Sequence, residues 1–405
     1  MYVDELNPWW YTGRVPKNLQ KEYRRKQYAQ ARDVLESREI IIITGMRRVG
    51  KTTILYQLID HLLEKGVEPK NVLYYSFDTG DERPTEIIRE FLSVVAVDGR
   101  KYVFLDEIQW AENWAGELKR IYDTMPDIKI VVSGSASVLV ESDALKYLAG
   151  RFYPLEVPTL HFKEFCEMKG IRPEPWMESK LSALFKEFLA KGGFPGWVDE
   201  DPQYIRKILQ ELVLERVIFR DIPCLRRFRN VNALRQLAEY VCENSGFLAV
   251  MDDLARVTGV SKPTLSEMLQ YLKKTYLVRV LRNYGSPETA ARTHKKLYVA
   301  DHGLYFGRDV GKRFETLMVN QMGARTFFRR GRREVDIVTD SMAVEVKKSA
   351  PSPREVRSLK WFAEKYRKQP LVVTVSDEGE VAGVPVIPAW KFLIGASLQG
   401  SSSRP

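Results

Sequence analysis

Cysteine and histidine are scarce in this 405-residue chain: Cys166, Cys224 and Cys242 fall in no C-x-x-C spacing, and the four histidines are scattered. That usage argues against a disulfide framework and a zinc site and leaves the cysteines as ordinary thiols. No run of about eighteen apolar residues occurs, so no membrane-spanning helix is expected. The opening Met-Tyr-Val-Asp-Glu-Leu-Asn carries acids where a secretory signal would carry an apolar stretch, which points to a soluble, cytoplasmic protein. Internal repeats and heptad arrays are also lacking.

What is present is enough chain for two to four domains, each with its own core. Charge is uneven. Residues 1–200 hold 28 Lys+Arg against 31 Asp+Glu, whereas residues 201–405 hold 35 against 22. The basicity belongs to the C-terminal half, which is either a surface for a polyanion such as nucleic acid or a well-solvated one.

Residues 45–52, Gly-Met-Arg-Arg-Val-Gly-Lys-Thr, are a complete G-x-x-x-x-G-K-[ST] loop. They follow the apolar run Ile40 to Thr44 and precede an amphipathic helix expected over 53–64, the strand–loop–helix context of a nucleoside triphosphate site. Gly45 and Gly50 let the backbone fold back so that successive N–H groups point at phosphate. Lys51 reaches the β and γ oxygens, and Thr52 offers its hydroxyl to Mg²⁺. The helix adds its positive N-terminal end. The expected ATP-binding set is Gly45, Arg47, Arg48, Val49, Gly50, Lys51, Thr52 and Thr53, with the side chains of Arg47 and Arg48 either on the nucleotide or in solvent.

Downstream the chain alternates: strand 71–77, helix 84–95, strand 101–107, helix 114–123, strand 128–133. This is the rhythm of a parallel sheet covered by helices, an α/β fold. Asp106 and Glu107 end the third strand, at the sheet edge where ligands of such folds bind. In that place Asp106 would hold Mg²⁺ and Glu107 would orient or deprotonate the attacking water. Arg151, permanently charged and planar, suits an arginine finger or sensor for its own or a neighbouring subunit of a homo-oligomer; a surface salt bridge is the rival reading.

The strings Ile41-Ile-Ile-Thr-Gly-Met-Arg-Arg-Val-Gly-Lys-Thr-Thr53, Phe104-Leu-Asp-Glu-Ile-Gln-Trp110, Val132-Ser-Gly-Ser-Ala-Ser137 and Leu148-Ala-Gly-Arg-Phe152 resemble the AAA+-type ATPases of archaea and bacteria that carry an uncharacterised C-terminal domain. Phe162-Lys-Glu-Phe165 and Gly192-Gly-Phe-Pro-Gly196 extend the likeness over nearly the whole chain. The resemblance implies ATP binding by a P-loop NTPase sheet. It also implies that the strand ending at Ser133 lies beside the phosphate loop, where Ser133 can sense the γ-phosphate. The alternative for that segment is a helix N-cap on Ser135 or Ser137.

The expected boundaries are a helical lead-in at 1–38, packed on the sheet, an ATPase core at 39–158 and a helical lid at 159–230. In the next segment, 231–300, helices at 234–244, 251–258 and 261–275 around the Gly259-Val260 turn, then strands 277–281 and 296–300, read as a winged helix with Ser261 as N-cap. Ser261, Lys262 and Thr264 suit phosphate and base-edge contact with duplex DNA. Asp252, Asp253 and Glu267 would repel phosphate, so docking of a protein partner stays open.

Residues 301–395 contain Glu334-Val-Asp336 and Glu345-Val-Lys347. On adjacent strands this Asp-x8-Glu-x-Lys array would bring Asp336 and Glu345 together as hard oxygen ligands for Mg²⁺, with Lys347 beside an attacking water. It resembles the PD-(D/E)xK nuclease superfamily, whose common upstream acid Glu315 matches; Val335 stands where many members have proline. The cluster from Arg325 to Arg333 interleaves aromatic and basic residues, which makes Arg329, Arg330, Arg332 and Arg333 candidate DNA contacts. Related domains can bind DNA without cutting it. Residues 396–405 read as a disordered tail. The expected function is a Mg²⁺-dependent ATPase whose nucleotide state controls a winged-helix and nuclease-like DNA-binding half. The alternative is a slow regulatory switch that binds a protein partner and has no nuclease activity.

Overall fold

Five consecutive residues, Ile40–Thr44, are buried on both faces and form β1. A continuous β-branched run of this kind belongs in the middle of a covered parallel sheet. The computed structural model describes residues 4–78, 82–95, 98–134, 143–226, 228–285 and 294–395. The expected tail, the caps at Ser135 and Ser137 and most of the Gly-Ser-Pro wing loop lie outside them. The chain divides into two compact units, one of residues 1–158 with 224–226 and one of residues 159–223 with 227–405.

In the first unit β2 (Val72–Ser76), β3 (Lys101–Asp106), β4 (Ile128–Gly134) and β5 (Phe152–Glu156) join β1 in a parallel sheet of order β2-β3-β4-β1-β5. Helices Lys51–Glu64, Pro84–Val94 and Trp114–Thr124 connect and cover it. This is the expected α/β class. The first helix starts at Lys51, two residues earlier than its apolar pattern indicated, because Gly50 takes a left-handed conformation (φ 96°) and lets the helix begin at once.

The N-terminal segment covers the β2 edge. Asn7 pairs with both backbone groups of Tyr74, donating from Nδ2 to O (2.9 Å) and accepting from N at Oδ1 (2.6 Å). The indoles of Trp9 and Trp10 both donate to Val72 O. These side chains satisfy an edge that would otherwise present unpaired backbone groups.

In the second unit β6 (Phe247–Ala249), β7 (Val278–Asn283), β8 (Lys295–Val299), β9 (Thr326–Arg330), β10 (Arg333–Val338), β11 (Met342–Lys347), β12 (Gln369–Thr374), β13 (Gly379–Val381) and β14 (Val384–Pro388) make one sheet of order β13-β14-β12-β11-β10-β9-β7-β8-β6. The boundary expected at residue 300 is therefore no break in the structure. β7 pairs antiparallel with β8 and, at Arg282 and Asn283, parallel with β9. Asn283 extends the join by exchanging hydrogen bonds with Arg329 O and N (2.8 and 2.9 Å).

The helices expected as a lid at 159–230 begin in the core of this second unit. Helices Phe162–Met168 and Glu178–Lys191 bury Phe162, Phe165, Phe185 and Phe188 in one core with Phe314, Leu317, Val344 and Val373. Their apolar faces are matched to the C-terminal strands and to helix Val310–Gln321, so they are part of that core. The Gly192-Gly193 pair serves this packing. A Cβ on Gly192, at φ 90°, would lie 2.6 Å from Asp301 Oδ1, and Gly193 N donates to both Asp301 carboxylate oxygens at 3.1 Å. Among the described residues no helix is long and apolar enough to cross a membrane.

Candidate functional site

The phosphate loop leaves the C-terminal end of β1. Gly45 takes φ 149°, and a Cβ there would sit 2.3 Å from Val157 O, so the first glycine of the loop is required by close backbone approach as well as by φ. Lys51, only 5% exposed, donates from Nζ to Gly45 O and Met46 O at 3.0 Å each. Arg47 is buried and Arg48 is exposed at φ 67°. Val49 is fully buried beneath the loop, and Thr53 stands in the first turn of the helix.

Asp106 is the centre of the polar network. Its Oδ2 accepts from Thr52 Oγ1 at 2.7 Å and from the Tyr74 hydroxyl at 3.0 Å, while Oδ1 accepts from Glu107 N at 3.1 Å and from Ser133 Oγ. The strands bring these groups together: β2 supplies Tyr74, β3 Asp106 and β4 Ser133, all neighbours in the sheet. Burial and the adjacent Asp106 carboxylate hold the Tyr74 phenol far above its ordinary range, so it stays a donor. Tyr74 was not foreseen from sequence, where it reads only as another aromatic in a strand.

Glu107 takes a left-handed conformation (φ 53°) that turns its carboxylate off the strand, and it accepts from Gln109 Nε2. Burial raises its pKa above the ordinary carboxylate value; the nearby Lys51 ammonium opposes this, Asp106 adds to it and Arg47 opposes it again. Thr52 and Asp106 are thus in contact as a Mg²⁺-holding pair would be, and a carboxylate of raised basicity stands near Lys51.

β4 lies beside β1 with Ser133 paired to Ile43, as expected, whereas Arg151 is placed differently. Ser133 is fully buried and its hydroxyl donates to Asp106, so it positions that carboxylate. Arg151 precedes β5, and the parallel register pairs Ile40 with Phe152 and Thr44 with Glu156. The arginine therefore sits at the opposite end of β1 from the loop, roughly 15 Å away at strand rise. Its Nε donates to Asp123 Oδ1 at 3.0 Å and its guanidinium lies over Tyr122. It is a surface ion pair and does not reach its own chain's phosphate loop.

In the second unit, the antiparallel register that pairs Ile337 with Val344 puts Asp336 and Glu345 together at the next position. Both are nearly buried. Asp336 Oδ2 accepts from Val346 N at 2.9 Å, Glu345 Oε1 is 2.8 Å from Lys347 Nζ, and the buried Glu345 Oε2 has no hydrogen-bond partner among the described residues. Burial and the neighbouring Glu345 and Glu315 push Asp336 well above the usual carboxylate range. Burial also raises Glu345, against the pull of Lys347.

Glu315 stands in the same cluster, with Tyr298 and Lys296 as its own partners. Its Oε1 accepts from the Tyr298 hydroxyl at 2.5 Å and from Lys296 Nζ at 3.2 Å. Among the described residues no group of three or more His, Cys, Asp or Glu side chains is arranged to hold a metal ion. The donors left are the hard oxygens of Asp336 and Glu345, a set that suits Mg²⁺ in kind. A cleft of about 400 Å³ lined by Lys312, Glu315, Lys347 and Lys348 opens beside them.

The expected DNA contacts are spread over two elements. Ser261 caps helix Lys262–Lys274 and its Oγ is 3.0 Å from Thr264 Oγ1, while Lys262 pairs with Asp252 at 2.7 Å. On the β9–β10 hairpin Arg330 and Arg332 are exposed, Arg329 pairs with Glu334 at 3.4 Å, and the Arg333 guanidinium lies 3.9 Å over the Trp361 ring.

Residues 37–166 match the family described as AAA domain, and residues 182–307 match a domain of unknown function, DUF8612. The chain is similar to an uncharacterised protein of Methanocaldococcus jannaschii, at 25% identity over 397 residues covering 87% of this chain and 88% of the relative. It is also similar to an uncharacterised protein of Haemophilus influenzae, at 23% identity over 384 residues covering 88% and 94%. Among solved structures, the Walker-type ATPase of Pyrococcus abyssi superposes with a TM-score of 0.47 at 17% identity, covering 72% of this chain and 97% of that one.

Proposed function

We propose that this chain is a Mg²⁺-dependent ATPase of the AAA+ type whose nucleotide state controls a DNA-binding C-terminal half. The observation that carries the reading is the Thr52–Asp106 hydrogen bond, which joins phosphate loop and β3 at the sheet edge with Glu107 alongside. The AAA domain match over residues 37–166 supports it.

In this reading Lys51 turns from the loop carbonyls to the β and γ oxygens, and the loop N–H groups hold the phosphates. Thr52 and Asp106 would hold Mg²⁺, which would supply charge neutralisation at the phosphoryl oxygens. Tyr74 and Ser133 fix the Asp106 carboxylate. Glu107 orients a water for in-line attack on the γ-phosphorus and takes its proton as the bond to the β-γ bridging oxygen breaks.

For the C-terminal half, helices Met251–Thr258 and Lys262–Lys274 with the β7–β8 hairpin support a winged-helix reading. Asp336, Glu345 and Lys347, side by side on β10 and β11, support a nuclease-like one, in which the carboxylates hold a metal and Lys347 stands by the attacking water. The Lys262–Asp252 pair favours the alternative, a protein-docking helix on a regulatory switch that cuts nothing.

Duplex binding tests the DNA role. The logarithm of the association constant is expected to fall linearly with the logarithm of salt concentration, by about 0.9 per neutralised phosphate. Arg330→Ala with Arg332→Ala should lower that slope by about two contacts. Affinity that ignores salt, or none at all, rejects DNA as the partner.

A further inference from the structure

Lys296 on β8 was not foreseen as part of any site, yet its ammonium stands inside the carboxylate cluster. Nζ is 2.7 Å from Glu334 Oε1, 3.2 Å from Glu315 Oε1 and 3.9 Å from Asp336 Oδ1, and the side chain is only 6% exposed. Tyr298, two residues on and therefore on the same face of β8, donates to Glu315 from below. A buried ammonium is stable only when well paired, and this one has three acids. Glu315 is held by Lys296 and Tyr298 together.

The other side of the cluster is different. Lys347 takes one oxygen of Glu345, and the second, Oε2, is buried without a hydrogen-bond partner among the described residues. Asp336 gives Oδ2 to Val346 N. Four carboxylates (Glu315, Glu334, Asp336, Glu345) thus face Lys296 and Lys347, with Arg329 on the outer side of Glu334. With all of these ionised the cluster stays net negative; Glu345 Oε2 is without a partner among the described residues, and Asp336 Oδ1 has Lys296 only at 3.9 Å.

We propose that Lys296 is a resident cation occupying the Glu315 side of this cluster, so that the chain takes up one Mg²⁺ or Mn²⁺ at Asp336 and Glu345 and holds it weakly. This rests on the reading of Asp336 and Glu345 as metal ligands. Glu315 is then the anchor of Lys296 and no metal ligand. Like charge disfavours a divalent ion a few ångströms from the ammonium, and removing that charge should tighten metal binding.

The test is Mn²⁺ titration of the full-length protein at pH 8, followed by electron paramagnetic resonance or calorimetry, with no activity assay involved. Wild type is expected to bind one Mn²⁺ that is lost in Asp336→Asn. Lys296→Met should bind at least tenfold more tightly, and Lys296→Arg, which keeps the charge, should match wild type. Lys296→Gln, able to hydrogen-bond Glu315, serves if the methionine variant does not fold. If Asp336-dependent binding is present but the neutral variants bind no tighter, the role of Lys296 is overturned and the metal reading stands. If no variant, neutral ones included, binds Mn²⁺ through Asp336, the metal reading falls and the role of Lys296 with it.

Discussion

Lys51→Ala is expected to remove ATP hydrolysis, with a rate loss of about 10²–10³-fold or more, and to weaken ATP binding by at least tenfold. The size follows from what the ammonium does. A single fixed donor at a developing anionic charge in a sheltered site is worth about 3–4 kcal/mol in the transition state. Lys51 is nearly buried and already held over the loop by Gly45 O and Met46 O, so it is positioned before nucleotide arrives. Alanine removes the charge and leaves those two carbonyls without its donor. Fluorescent-nucleotide binding and phosphate release measure both effects, and a thermal melt checks that the fold survives. Binding and turnover within twofold of wild type would exclude the phosphate-loop assignment.

Glu107→Gln is expected to separate binding from chemistry. Glutamine keeps the shape but cannot take a proton, so kcat should fall by about 10²–10⁴-fold while ATP affinity stays the same or improves. The pH dependence supplies a second readout. Burial raises the Glu107 pKa, and the active form is the carboxylate. Activity is therefore full above that raised pKa and is lost as pH falls through it, at a higher pH than an ordinary glutamate would give. The residual rate of the glutamine variant should lack that acidic limb. A variant with unchanged kcat, or one that loses ATP affinity and kcat equally, would remove Glu107 from the role of base.

How much of this could be read beforehand depended on sequence distance. β1, the loop and the Asp106–Glu107 pair were legible because strand burial, glycine geometry and the carboxylates are written in short contiguous runs. β5 was not, since Pro154 and a mostly half-exposed pattern hide a strand that only β1 completes. For Arg151 only the salt-bridge reading and the absence of a reach to its own loop could be decided, and they needed the fold, because proximity to a strand does not say which end of the sheet a residue occupies. Ser133 looked free, and only the fold shows its hydroxyl donating to Asp106. Tyr74, Lys296 and Tyr298 owe their roles to partners 32, 19 and 17 residues away, and nothing local marks them. The packing of the helices expected as a lid was hidden for the same reason: the helices are real, but the surface that their phenylalanines cover lies more than a hundred residues later.

The join of β7 to β9 has a consequence for folding. Two ladders that sequence suggests could form independently share one hydrogen-bonded sheet, so the piece ending at residue 300 has no complete edge of its own and the piece beginning there lacks the neighbour of β9. Parallel pairing between strands more than forty residues apart closes late, because its loop must be ordered before the contacts repay it. The stretch from β6 to β14 is therefore expected to open and close as a single cooperative foldon, which native-state hydrogen exchange would show as one shared protection level on both sides of the β7–β9 join.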